Sequence, residues 1–127
     1  MKLPDLDKLR LSGRISAQTR ELCKAMIKPG VRLEEVALAA EASIRALGGE
    51  PAFPAQLSRN HIAAHYCSPP DDPTTAQHGD IIKLDLGTHV DGYVTDTATT
   101  VDLQSGPDSA LVAALAEARA AAASAAA

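Results

Sequence analysis

Asp85 and Asp96 are the residues of this 127-residue chain best placed to do chemistry. They lie in "KLDLGTHVDGYVTDTATTVDL", residues 83–103, where strand-like runs flank Asp91-Gly92. Asp-Gly between two such runs is a strong hairpin signal. A two-residue turn there pairs Val90 with Tyr93, Gly87 with Asp96, and Asp85 with Ala98. Side-chain alternation then places both acids on one face as diagonal neighbours, about 7–8 Å apart at the backbone. The residues opposite them, Gly87 and Ala98, are small and leave open space above the pair. A slip of one residue would send the acids to opposite faces. Two carboxylates converging in a partly dry site repel each other, so one takes a proton or a cation sits between them. Hard and borderline divalent ions accept carboxylate oxygen readily. A carboxylate can also bridge two ions about 3.5–4 Å apart. A merely solvated hairpin face would carry the same letters, and the spacing alone leaves that choice open.

The other polar candidates read more plainly. Asp91 is explained by the turn, Asp102 by the strand end, and Asp71 and Asp72 by a solvated loop. Of the four histidines, His78 falls in a loop and His89 at the hairpin end. His61 and His65 are four apart in "NHIAAHYCSPP", which does not read as helical, so a paired helical metal site is not expected. His65 follows two alanines, which let a backbone approach something closely; alone it reads as structural.

The elements that must position these residues begin with a helix over 12–28, capped by Ser12. Ile15, Leu22, Cys23 and Met26 form its apolar side, and Lys28-Pro29-Gly30 stops it. A second helix runs from near Arg32, with Leu33, Val36, Ala37, Ala40, Ile44 and Leu47 on one face, to Gly48-Gly49. Segments 53–57 and 62–66 read as strands or extended loop, and 67–80 as a proline-bearing surface loop. After the hairpin strands, 81–88 and 93–101, a last alanine-rich helix starts at Pro107 or Asp108. Its alanines favour helix but bury little area.

Bulk properties narrow the class. The chain is 46% apolar and 22% charged, with net charge −4, ordinary values for a globular domain. Aromatics make up 2%, and no basic run stands out, so nucleic acid is not an expected partner. Two cysteines far apart, Cys23 and Cys67, do not suggest a disulfide framework. No apolar run approaches the ~20 residues of a membrane span, and the first residues lack a secretory signal. The expectation is a cytoplasmic monomer.

The stretch "FPAQLSRNHIAAHY", the proline-bearing loop and "GDIIKLDLGTHVDGYVTDTATTV" together resemble the N-terminal half of a methionine aminopeptidase, in particular the type 2 branch found in archaea. The resemblance runs from about Ser12 through the last helix. It implies an α/β (α+β) architecture, half of a pita-bread fold: a helical pair, antiparallel strands with a metal-ligand hairpin, and a terminal helix. It implies hydrolysis of the amide after an initiator methionine at nascent polypeptide N-termini, assisted by two divalent ions (Co, Mn, Fe or Zn). By the same resemblance Asp85 holds one ion, Asp96 bridges both, His65 contacts the scissile amide, and Phe53 lies near the pocket for the methionine side chain. The family also uses a further metal-ligand histidine, two metal-ligand glutamates and a second substrate-contacting histidine, which no segment here supplies. The expectation is therefore a partial catalytic domain over 1–127, with the second half absent and little activity alone. Two alternatives share the superfamily: a proline-specific peptidase, and a non-catalytic binding module.

Overall fold

The computed structural model describes residues 3–104 and 110–126. Helix α1 (Leu3–Met26) leads to α2 (Leu33–Ala46). Four strands follow: β1 (Glu50–Pro51), β2 (Gln56–Arg59), β3 (Ile81–Val90) and β4 (Tyr93–Asp102). Helix α3 (Ala110–Ala126) comes last. This is the mixed helix-and-antiparallel-strand architecture expected from the sequence. Among the described residues, no helix is long and apolar enough to cross a membrane.

Strand β3 is the centre of the sheet. It pairs along its whole length with β4, and its other edge is shared by β1 and β2, all antiparallel. The sheet is covered on one side by α1 and α2. Ile82, Leu84 and Leu86 of β3 and Leu57 of β2 point to that side and are buried with Leu33, Val36, Ala40 and Ile44 of α2. The face of α2 read from its period is the face that packs.

Helix α1 departs from expectation at its start. It begins at Leu3, so Ser12 is no cap but a buried mid-helix residue. Ser12 Oγ donates to the Thr88 carbonyl at 2.9 Å and lies 2.8 Å from Thr95 Oγ1, which Ser16 Oγ also meets at 2.9 Å. Arg20 Nη1 donates to Thr97 Oγ1 at 2.7 Å. Ser12, Ser16 and Arg20 recur at four-residue spacing, so one stripe of α1 hydrogen-bonds the threonines of β4. An apolar-period reading overlooks such a stripe. Leu22, expected on the packed side, is exposed, whereas Ile15 and Cys23 are buried. The expected starting residues of the last helix, Pro107 and Asp108, lie outside the described residues. The described side chains of α3 are exposed apart from half-buried Leu115, in keeping with how little area alanine buries.

Candidate metal centre

Asp91 and Gly92 both take positive φ, 50° and 85°. That suits a two-residue hairpin turn, and Asp and Gly are the residues that adopt it readily. The turn fixes the register: Val90 faces Tyr93, Gly87 faces Asp96, and Asp85 faces Ala98. Asp85 and Asp96 therefore share the sheet face turned away from the helices, and their carboxyl groups lie within hydrogen-bonding reach of each other. Burial and the neighbouring Asp96 carboxylate push the Asp85 carboxyl up from its ordinary range; the His65 imidazole pulls the other way. Asp85 Oδ1 is buried without a hydrogen-bond partner.

All four residues singled out from the sequence come to this face. His65 is near enough to act electrostatically on Asp85. Its backbone has φ +69°, a left-handed conformation uncommon outside glycine and costly for the chain to hold. Phe53 packs over Gly87, where a methyl group on the glycine would run into the ring. The expected open space above the pair is thus taken by Phe53 on the Gly87 side. On the other side Ala98 remains exposed.

The loop carrying His65 is held at both ends, by residues the sequence reading passed over. At one end Arg59 Nε donates to Asp80 Oδ2 at 2.8 Å, and Asn60 Nδ2 to Asp80 Oδ1 at 3.0 Å. The Gln77 amide also donates to Asp80 at 2.8 Å. Burial alone would raise the Asp80 carboxyl; Arg59, Asn60 and the Gln77 amide outweigh it and hold the group below its usual range. At the other end the Leu57 amide donates to the Tyr66 carbonyl at 3.1 Å, and the Tyr66 amide to Ser58 Oγ at 3.2 Å. Tyr66 OH donates to Asp72 Oδ2 at 2.8 Å.

Asp72 corrects an expectation: it is not solvated but 3% exposed. Thr74 donates to its Oδ1 from both hydroxyl, at 2.6 Å, and amide, at 3.0 Å. The Thr74 hydroxyl first, then its amide and Tyr66, bring the Asp72 pKa down to about 2 despite burial. A signal for both clamps was present in the sequence. Each acid is followed or preceded within three residues by groups that make side-chain-to-backbone turns, Asp72-Pro-Thr74 and Gln77-His-Gly-Asp80.

The donor set fits a divalent cation in part. Two carboxylates converge, one with a buried oxygen that nothing satisfies, and such an oxygen is what a cation or a hydrogen-bond donor completes. They do not enclose an ion: among the described residues no group of three or more His, Cys, Asp or Glu side chains is arranged to hold one.

Comparison with known proteins gives a consistent result. The sequence profile of Metallopeptidase family M24 matches residues 7–127. A methionine aminopeptidase of Methanocaldococcus jannaschii is 50% identical over 103 residues, covering 81% of this chain and 35% of that protein. One from Pyrococcus abyssi is 46% identical over 123 residues, covering 91% of this chain and 42% of its own length. The chain thus spans 35% and 42% of the length of these two curated relatives. Among solved structures, a methionine aminopeptidase from Thermotoga maritima superposes with a TM-score of 0.76 at 21% identity, over 85% of this chain and 46% of that one. A Pseudomonas aeruginosa aminopeptidase, PepP, gives 0.70 at 18%, over 81% of this chain and 23% of its own. At such identities these two likenesses speak to the fold alone.

Proposed function

The chain belongs to metallopeptidase family M24, and on that premise we propose that it supplies the Asp85–Asp96 part of a dinuclear metal centre that removes the initiator methionine from nascent polypeptides. The observation that carries the proposal is the convergence of two carboxylates on one sheet face, one of them with a buried, unsatisfied oxygen. The 46–50% identity to archaeal methionine aminopeptidases favours methionine over proline-directed substrates.

In this reading the Asp85 and Asp96 carboxylates would be the groups of this chain that hold the divalent ions. Such ions supply Lewis-acid polarisation of an amide carbonyl and an acidified water. The rest is work for this chain's own side chains. His65, fixed by the clamps at Asp80 and Asp72, contacts the scissile amide. Phe53, seated on Gly87, forms an apolar wall against which a methionine side chain packs. Further ligands must come from groups other than those described here, because two carboxylates leave most of an ion's coordination open.

A chimera tests the proposal: this chain replaces the matching segment of the Methanocaldococcus jannaschii relative. We expect release of methionine from a Met-Ala-Ser peptide. Asp96→Asn in the chimera should lose bound metal and turnover together, the latter by about a hundredfold or more. A folded chimera that binds metal but cleaves only Xaa-Pro peptides, or nothing, sinks it.

A further inference from the structure

Gln56 sits directly opposite Asp85 in the β2–β3 ladder, so the two side chains share the outward face of the sheet. Directly paired residues in antiparallel strands bring their Cβ atoms to about 4.5–5.5 Å. Two side-chain oxygens at this one cross-strand pair, Gln56 Oε1 and Asp85 Oδ1, are buried with no hydrogen-bond partner. Two orphan acceptors on facing residues are an unstable arrangement, since each keeps the cost of leaving water with no bond to offset it. A half-turn about the last torsion of glutamine exchanges its oxygen and its NH2 group without moving anything else. That single rotation puts a donor where the buried acceptor stands, on the residue that faces Asp85 across the ladder.

We propose that Gln56 is a positioning residue: its Nε2 donates to Asp85 Oδ1 and fixes the plane of the carboxylate. A ligating carboxylate held in this way keeps its orientation before an ion arrives, and partners of this kind commonly govern affinity by about 10–100-fold. The neutrality of glutamine matters. A third carboxylate at this position would add repulsion to a pair that already repels, whereas an amide donates without adding charge. The proposal rests on the ligand reading of Asp85 given above, and its test separates the two.

The hydrogen bond is read first in the metal-free chain, by NMR of the Gln56 side-chain NH2 protons, identified by their disappearance in Gln56→Leu. We expect this pair to be shifted and slow to exchange, and to become an ordinary solvated amide in Asp85→Ala. Mn2+ is then titrated alone into the folded chimera described above, which supplies the remaining ligands, as the parent and as Gln56→Leu and Gln56→Glu. We expect affinity to fall about tenfold or more in both variants. A solvated Gln56 amide in the wild type overturns the proposal, and so does unchanged Mn2+ affinity in Gln56→Leu. Tighter binding in Gln56→Glu overturns it in a different direction, making the Gln56 oxygen itself a ligand. If the bond is present but the unsubstituted chimera binds no Mn2+, the ligand reading of Asp85 fails and the bond stands.

Discussion

The two faces of the β3–β4 ribbon do different work. Toward the helices, Ile82, Leu84 and Leu86 are at most 1% exposed and pack against apolar neighbours. Away from them, half-buried Asp85 meets exposed Asp96, with Phe53 on one side and His65 nearby. Because strand side chains alternate, residues adjacent in sequence hold opposite roles: Leu84 and Leu86 stabilise, and Asp85 between them is costly to keep. The difference teaches that this ribbon's stability and its chemistry can be altered separately, one residue at a time.

The most forceful way to break that comparison is Leu84→Ala. Leu84 is fully buried, and removing three carbons from a packed core costs about 2–5 kcal/mol. We expect the urea midpoint to fall accordingly while Asp85 and Asp96 remain on one face. An unchanged midpoint would mean that the inner face is not where this fold is held.

The hairpin was the most legible part of the chain. Asp91-Gly92 between alternating runs dictated turn, register and the shared face of Asp85 and Asp96, and ten cross-strand pairs follow from that one turn. Helix α2 was equally plain, because its buried side is apolar at helical spacing. Helix α1 was not, because Ser12, Ser16 and Arg20 reach the threonines of β4 through hydrogen bonds that a hydrophobic period does not register. Asp72 misled, and Asp80 drew no notice, for a related reason. An acid in a proline-bearing loop looks solvated until the fold brings Thr74, Tyr66, Arg59 and Asn60 around it. Gln56 carried no signal of its own, since its importance comes only from facing Asp85 across the ladder.

A smaller effect sharpens the contrast from the loop that carries His65. Asp72 holds the end of the His65 loop through polar bonds, where Leu84 works by burial. Its carboxyl is lowered to about 2 when folded, against about 3.9 in an unfolded chain. A lowered folded value means that the carboxylate stabilises above the unfolded value, and that this contribution disappears as pH falls from about 4 toward 2. We expect Asp72→Asn to cost about 1–2 kcal/mol at pH 7. The gap between wild type and variant in urea unfolding should close progressively below pH 4. A gap that stays constant down to pH 2 would show that the charge of Asp72 contributes nothing.

The smallest expected change in stability, and the one with the opposite sign, is Asp85→Asn in metal-free chain. The folded Asp85 carboxyl is raised by burial and by Asp96, so the sign reverses relative to Asp72. Its protonated form is the one the fold favours. The wild type should therefore lose stability as pH climbs above the unfolded value of about 3.9 toward the raised folded value, and stay at the lower level beyond it. Asparagine keeps the shape and carries no charge to desolvate or repel, so the variant should be slightly more stable than wild type at pH 7 and level with it in acid. In the chimera the same substitution should abolish Mn2+ binding, because a carboxamide is a far weaker ligand than a carboxylate for a hard divalent ion. Equal stability at every pH would show that Asp96 and burial do not strain Asp85. A destabilised variant at pH 7 would place Asp85 among the residues that hold the fold, on the same footing as Leu84 on the other side of the ribbon.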